Sequence, residues 1–279
     1  QNPHNGFSIK GGLMSPDGAH AFTFGEKGYI VRWEGFSEGN IVGTPIAGPD
    51  LMNPHHSQYV LGGAISKNGK WGITFSFVHG YEEKKYCIVK WSNLDEKIPT
   101  PHCIAESGGV VDLHLPVEEY ADSYIVRTAV IADDGKWALT VSRNVVVYWT
   151  NFNTNECVGQ VLKDVPRVGD VYDFKLSAEG NWGLSCGNVG RVIKWTNLDT
   201  HPKGRFLSGL DYDSEEPIPQ AHPGNSPNTY PNIDHPEKMI ISCDSSWAMS
   251  ISESSWAIWT DLNTPNPQHK TVRPFEKSE

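Results

Sequence analysis

A segment that ends in tryptophan occurs five times in this chain. The closing tryptophans are Trp33, Trp91, Trp149, Trp195 and Trp259, spaced 58, 58, 46 and 64 residues apart. A second position, near the start of each copy, carries Trp71, Trp137, Trp182 and Trp247, with His20 in copy one. Only Trp256 lies outside these two positions. A repeat of this length is typical of folds built by stacking one supersecondary unit.

Each copy has the pattern of consecutive short strands. An apolar run comes first and is followed by a turn of Asp, Asn or Glu with Gly, as at residues 17–18, 68–69, 134–135 and 179–180. Residues 244–246, Asp-Ser-Ser, replace this turn in copy five. Two more strands lead to the closing tryptophan, with alternating apolar and polar residues. A polar turn follows, and we predict outer strands near residues 40–47, 101–106, 156–162, 204–209 and 269–274.

A four-stranded sheet with two apolar faces has to pack against neighbours on both sides. Radial stacking does this and leaves only short edges. We therefore predict an all-β chain folded as a five-bladed β-propeller of four-stranded antiparallel blades. We expect one domain over residues 1–279, with blades at about 7–50, 60–106, 124–163, 169–210 and 237–275. The repeated tryptophans are interpreted as packing residues.

These segments resemble the WD-repeat propellers and, more loosely, the repeats of TolB-type propellers. The run Arg191-Val-Ile-Lys-Trp195-Thr-Asn-Leu-Asp is similar to the end of a WD repeat, and Trp195-Thr196 stands where that family has Trp-Asp. The family's Gly-His pair and the Asp between its second and third strands are absent. The resemblance therefore implies the propeller architecture and does not imply the family's hydrogen-bond network.

Charge and composition exclude some roles. The formal net charge is −10, whereas nucleic-acid-binding proteins present a basic face. No apolar run is long enough to span a membrane. The chain begins with Gln1, which we interpret as removal of a leader, so we expect a secreted or periplasmic protein; the alternative is cytoplasmic.

The five cysteines form no CxxC pair, and we expect most to be small apolar strand residues. A Cys87–Cys103 bridge is an open alternative.

The connections from one blade to the next are where function is expected. Three of them are long, at about 48–59, 107–123 and 210–236, and long loops in compact domains are often functional. They are rich in acidic, His and Tyr residues, and Tyr is enriched at protein interfaces. The candidate binding residues are His55, His56, Asp112, His114, Tyr120, Tyr124, Tyr212, His222, Tyr230 and His235.

We predict a non-enzymatic binding or scaffold protein with a protein partner or larger assembly, and no catalytic residue, metal or cofactor. A carbohydrate-binding lectin is the main alternative, although only the Trp-Thr-Asn-Leu-Asp turn repeats. The second alternative is a glycoside hydrolase. Such an enzyme needs two carboxylates close together. The carboxylates that the first strands offer are Asp170 and Asp173, and these strands also offer Lys10, Arg127 and Lys175. A metal site among the loop histidines or the 211–216 acids lacks the usual ligand spacing.

Overall fold

The structure is a computed structural model that describes residues 3–15, 17–79, 84–106, 126–142, 145–163, 165–166, 170–188, 190–208, 235–264 and 267–272. These residues form β-strands and one short 3-10 turn, Glu26–Gly28, with no α-helix among them. Contacts divide the chain into two compact units, Gln1–Ser142 with Val146–Val161, and Arg143–Val145 with Leu162–Glu279. The expected single domain over residues 1–279 stays a prediction.

The first unit contains three four-stranded antiparallel sheets, which we number blades one to three. Blade one consists of β1 (Ile9–Met14), β2 (Ala21–Gly25), β3 (Ile30–Glu34) and β4 (Val42–Ala47). Blade two consists of β5 (Tyr59–Ile65), β6 (Gly72–His79), β7 (Lys84–Ser92) and β8 (Thr100–Glu106). Blade three consists of β9 (Thr128–Ile131), β10 (Trp137–Ser142), β11 (Val145–Thr150, with Val145 counted in the second unit) and β12 (Val158–Val161).

The second unit contains two more sheets of the same kind. Blade four consists of β13 (Val171–Leu176), β14 (Trp182–Gly187), β15 (Val192–Thr196) and β16 (Lys203–Ser208). Blade five consists of β17 (Lys238–Ile241), β18 (Ala248–Ile251), β19 (Trp256–Thr260) and β20 (Gln268–Val272). Because β20 pairs with β19, the fifth blade is completed by its own last strand, as the sequence predicts.

Five four-stranded antiparallel blades confirm the predicted fold class, and each predicted outer strand is present. The first strands of successive blades lie beside one another within each unit. β1 packs next to β5 and β5 next to β9 in the first unit, and β13 packs next to β17 in the second. Within each unit the first strand is therefore the inner edge of its blade, on the side where neighbouring first strands meet, and the fourth strand is the outer edge.

The closing tryptophans are fixed in the same way in all five blades. Each indole Nε1 donates to a hydroxyl oxygen on the second strand of its own blade. The pairs are Trp33–Thr23 (2.6 Å), Trp91–Thr74 (2.7 Å), Trp149–Thr140 (2.9 Å), Trp195–Ser185 (2.9 Å) and Trp259–Ser250 (2.8 Å). Four of the five are at most 2 % exposed. A buried indole needs such an acceptor, so this position serves packing.

The Asp-Gly turn between the first two strands also forms as predicted, with one informative exception. Gly18, Gly69, Gly135 and Gly180 all have φ between +69° and +74°. Ser245 takes this place in blade five at φ +58°. Its hydroxyl accepts a hydrogen bond from the Ala178 backbone N–H of blade four at 2.7 Å. The serine thus accepts a strained backbone conformation and gains a bond between blades.

A cation one residue before the closing tryptophan joins neighbouring blades. Arg32 Nη1 donates to the Glu96 carbonyl, Lys90 Nζ to the Thr154 carbonyl, and Lys194 Nζ to the Leu262 carbonyl and, at 3.1 Å, the Thr264 carbonyl. Glu96, Thr154 and Thr264 all stand five residues after the closing tryptophan of the next blade. The alternation of apolar and polar residues before the closing tryptophan predicts only that these cations are polar residues of a strand. The structure shows that they carry blade-to-blade hydrogen bonds.

We expect Lys194→Met to destabilise the protein by about 2–3 kcal/mol, because hydrogen bonds donated by a charged group are among the stronger ones. Lys194 is 9 % exposed, and burial lowers the pKa of its amine. Lys203→Met, at an exposed position of β16, is the matched control and should change stability by under about 0.5 kcal/mol. Urea unfolding followed by tryptophan fluorescence measures both. Equal losses in the two variants would contradict this role.

Candidate functional site

His55, one of the candidate binding residues, lies in the interior of blade two. Its side chain is 0 % exposed. Nε2 lies 2.7 Å from Thr74 Oγ1, and Nδ1 lies 2.9 Å from Ser76 Oγ. The expectation that His55 faces a partner is therefore wrong, because the connection before β5 turns its ring into the sheet stack.

The bonds around His55 fix its tautomer. Thr74 Oγ1 already accepts from Trp91 Nε1, so its hydroxyl hydrogen is free to donate to His55 Nε2. Ser76 donates its hydroxyl to Gln58 Oε1 at 2.8 Å, so Ser76 Oγ accepts from His55 Nδ1–H. The ring is neutral, and burial lowers its pKa to about 3. His55 thus holds β6 and the preceding connection together.

His4, which is not among the candidate residues, does the same in blade one. His4 Nε2 lies 2.7 Å from Thr23 Oγ1, which accepts from Trp33 Nε1. The signal is present in the sequence. Asn-Pro-His occurs at residues 2–4 and 53–55, and each histidine stands nineteen residues before its threonine. The resemblance to WD repeats left this network unassigned, and the structure contains a histidine–hydroxyl–tryptophan chain in both blades.

His56 is the exposed member of the histidine pair. Its Nε2 lies 3.5 Å from Glu106 Oε2, with the side chains 62 % and 46 % exposed. A contact this exposed contributes little stability. His56 is therefore available to a partner, and it occupies a turn with φ +49°.

Among the other candidates, His235 is exposed and comes just before β17. The remaining candidates lie outside the described residues: Asp112, His114, Tyr120, Tyr124, Tyr212, His222 and Tyr230. Their roles stay predictions.

One position of the repeat is exposed in every blade, near the start of the first strand. In β1, β5 and β13 the pairing register skips one residue, namely Lys10, Leu61 or Tyr172, which forms a β-bulge. In blades three and five the extra residue directly precedes the first strand. The Arg127 N–H donates to the carbonyl of Val141, which already pairs with Thr128. In the same way, the Glu237 N–H donates to the carbonyl of Ile251, which already pairs with Lys238. We call these five residues the bulge position. Bulges often redirect a side chain next to a functional site.

The bulge position differs from the rest of the repeat because its residue type changes from blade to blade. The tryptophans and the hydroxyls they bond recur from blade to blade and are mostly buried, and the Asp-Gly turns recur with their Asp, Asn or Glu exposed. The bulge position carries a lysine, a leucine, an arginine, a tyrosine and a glutamate, all of them exposed. A position that is exposed and carries a different residue in each blade is a candidate for recognising a ligand.

In the first unit the bulge residues adjoin exposed apolar side chains. The Lys10 ammonium lies 6.0 Å from the ring centroid of Tyr59 and 3.8 Å from Glu26 Oε1. Ile9 is 53 % exposed, Tyr59 46 % and Leu61 39 %. Arg127 directly precedes β9, the neighbouring first strand. We call this set, Ile9, Lys10, Tyr59, Leu61 and Arg127, the inner-strand surface. It lies where the chain enters blades two and three.

The carboxylates considered for a hydrolase serve structural bonds in the second unit. Asp173 is 8 % exposed; Oδ1 accepts from the Phe174 N–H at 2.9 Å and Oδ2 from the Met239 N–H at 3.0 Å. Lys175 Nζ is 3.1 Å from Asp173 Oδ1. Asp173 therefore links β13 to β17. The Asp170 carboxylate accepts from Asn188 Nδ2 in the β14–β15 turn at 3.4 Å, and the Asp170 main-chain carbonyl accepts from the Asn188 N–H at 2.9 Å.

The part of the chain that the structure describes holds no group of three or more His, Cys, Asp or Glu side chains that could bind a metal ion. The described residues also contain no helix long and apolar enough to cross a membrane.

Comparison with known proteins shows the fold. No protein-family model and no curated protein matches the chain. Among solved structures, a functionally unknown protein from Desulfotomaculum acetoxidans matches with a TM-score of 0.57 at 11% identity, covering 96% of this chain and 70% of that one. A putative 6-phosphogluconolactonase from Bacteroides fragilis matches with a TM-score of 0.53 at 14% identity, covering 92% and 68%. These likenesses support a propeller-like repeat fold and contain no evidence for WD-repeat membership in particular.

Proposed function

We propose that this protein is a non-enzymatic binding or scaffold propeller that recognises a protein partner at the end of its blades where each first strand begins. The observation that carries the proposal is the bulge position, which is exposed in all five blades and differs in each. His56 lies just before the first strand of blade two, and His235 lies just before the first strand of blade five. Secretion and membership of the WD-repeat family remain part of this proposal.

The chemistry of the inner-strand surface indicates the kind of partner. Two cations, Lys10 and Arg127, flank the exposed apolar residues Ile9, Tyr59 and Leu61. Apolar area with a polar rim is the usual composition of a protein interface, and complementary charge orients the partner. We infer a partner segment that carries carboxylates beside apolar side chains.

The same observation argues against the alternatives. A lectin built from repeats would carry equivalent polar and aromatic residues in each blade, whereas the bulge position carries five different ones. The closing tryptophans are engaged inside the blades. The lactonase likeness, at 14% identity, carries only the fold, and Asp173 is engaged in structural bonds. Hydrolysis of 6-phosphogluconolactone by the purified protein, or several hits of one sugar type on a glycan array, would overturn the proposal.

The test compares two double variants by affinity capture from the native source with quantitative mass spectrometry. Lys10→Glu with Leu61→Glu changes the inner-strand surface. Lys97→Glu with Ile98→Glu makes the same two kinds of change at the opposite end of blade two, where Ile98 is 73 % exposed. We expect partners captured by the wild type to fall at least about tenfold with the first variant and to persist with the second.

All four positions are exposed, so both double variants should retain the β-sheet circular-dichroism spectrum of the wild type. Equal capture by the two variants would show that binding does not use the inner-strand surface.

A further inference from the structure

Two cysteine sulfurs approach each other between β7 and β8. Cys87 Sγ and Cys103 Sγ are 3.4 Å apart, and both residues are free thiols. Cys87 is 0 % exposed, whereas Cys103 is exposed. A disulfide needs about 2.05 Å between its sulfurs, so closing the bond requires an approach of only about 1.4 Å. The register shift between Ile88 and Val89 in the β7–β8 pairing places the two side chains diagonally on one face.

We propose that Cys87 and Cys103 form a thiol–disulfide exchange site that closes reversibly by reaction with a small-molecule disulfide. This inference does not depend on the proposed function. The sequence left a Cys87–Cys103 bridge open, and the geometry assigns different roles to the two cysteines. Cys103, on the outer strand, is the thiol that solvent reaches. Cys87, in the core, is the thiol that completes the bond.

The reaction balances with one disulfide such as oxidised glutathione. The Cys103 thiolate attacks a sulfur of that disulfide, forms a mixed disulfide and expels one glutathione thiolate. Cys87 then releases its proton and its sulfur attacks Cys103 Sγ, which expels the second glutathione thiolate. The two cysteines lose two electrons and two protons, and oxidised glutathione gains them and leaves as two thiols.

The ionisation of the pair supports this order. The hydrogen bond with Cys87 lowers the pKa of Cys103, and the same bond, together with burial, raises the pKa of Cys87. Cys103 therefore ionises first and Cys87 keeps the shared proton. A thiolate is the attacking species in disulfide exchange, so the more exposed cysteine is also the more reactive one.

Closing the bond would alter the connection that carries His56. Cys87 Sγ lies 3.3 Å from the Pro54 carbonyl, and Ser76 Oγ, which contacts His55, lies 3.4 Å from the Cys87 carbonyl. Formation of the disulfide removes the Cys87 S–H hydrogen, so the hydrogen bond from Cys87 Sγ to the Pro54 carbonyl is lost. We therefore expect faster backbone amide exchange at residues 53–58 in the oxidised protein.

The experiment treats the reduced wild-type protein with oxidised glutathione and maps its cysteine peptides by mass spectrometry. We expect a linked Cys87–Cys103 pair that is two hydrogens lighter than the dithiol. Cys243 is exposed in another blade and should end as a mixed disulfide, which provides an internal control for reagent access. Cys87→Ser should accumulate the glutathione adduct at Cys103 at least about tenfold above the wild type, because the resolving thiol is gone.

Cys103→Ser should leave Cys87 unmodified, because its sulfur is buried. Two results would overturn the proposal. One is a wild-type protein in which Cys103 stays as a glutathione adduct without linking to Cys87. The other is a protein in which Cys243 reacts and both cysteines of the pair remain thiols. The wild-type peptide map alone decides between these outcomes if either variant fails to fold.

Discussion

The acid sensitivity of unfolding is expected to weaken sharply when His55 is replaced by asparagine. In the folded protein the pKa of His55 is lowered to about 3 by burial, whereas an exposed histidine titrates near 6.5. The unfolded chain therefore binds a proton below about pH 6.5 that the folded chain does not bind. Stability is fully present above the unfolded pKa and is lost as the pH falls toward 3. The expected loss from this one residue is about 2–3 kcal/mol by about pH 4.5.

The matched control is His56→Asn, the same substitution at the next residue. Burial is the larger cause of the lowered pKa of His55 and the charge of His56 the smaller, so the His56 variant should keep most of the pH slope of the wild type. Urea unfolding between about pH 7.5 and 4.5 measures all three proteins. His4 and His269, whose pKa values burial also lowers, remain in both variants, so the difference between the variants isolates His55. Parallel slopes in the two variants would show that His55 is not held neutral.

Trp195→Ala is expected to destabilise the protein by about 3–5 kcal/mol, because it empties a fully buried aromatic site. Trp195 is 0 % exposed, its Nε1 donates to Ser185 Oγ at 2.9 Å, and its ring lies 5.8 Å from that of Phe174. The substitution also leaves the Ser185 hydroxyl without its indole donor. Urea unfolding monitored by circular dichroism measures the change.

Trp256→Ala is the control for Trp195, since Trp256 is the tryptophan outside the two repeating positions and is 37 % exposed. We expect it to cost under about 1 kcal/mol. A similar loss in both variants would contradict a packing role specific to the closing tryptophan. A large loss only in Trp195→Ala would also agree with tryptophans that are buried and unavailable to a sugar.

The strands and turns could be predicted from sequence because their signals are local. A tryptophan at the end of an alternating strand and an Asp-Gly turn each act within one blade, and five repetitions reinforce the pattern. The hydrogen bonds of Lys90 and Lys194 could not be predicted. Their carbonyl partners lie 64 to 70 residues away on the next blade, so nothing near either lysine in the sequence marks it.

The candidate site shows the same division. His55 and His56 are neighbours in one long connection, and no signal in the sequence distinguishes a buried histidine from an exposed one there. The structure separates them because a turn with positive φ at His56 sends successive side chains in different directions. His4 was missed because its function in packing appears only when it is aligned with His55 through the Asn-Pro-His sequence.

By itself the sequence determined that the chain makes five four-stranded blades, where their turns fall and which tryptophans close them, because these depend on short-range periodicity. Only the tertiary structure decided which polar residues are internal and which are exposed. Burial of His55, the reach of Lys194 to the next blade and the exposure of the bulge position all follow from how strands register and how blades stack. Those are long-range contacts, and a one-residue shift in register is enough to turn a side chain from the sheet to the solvent.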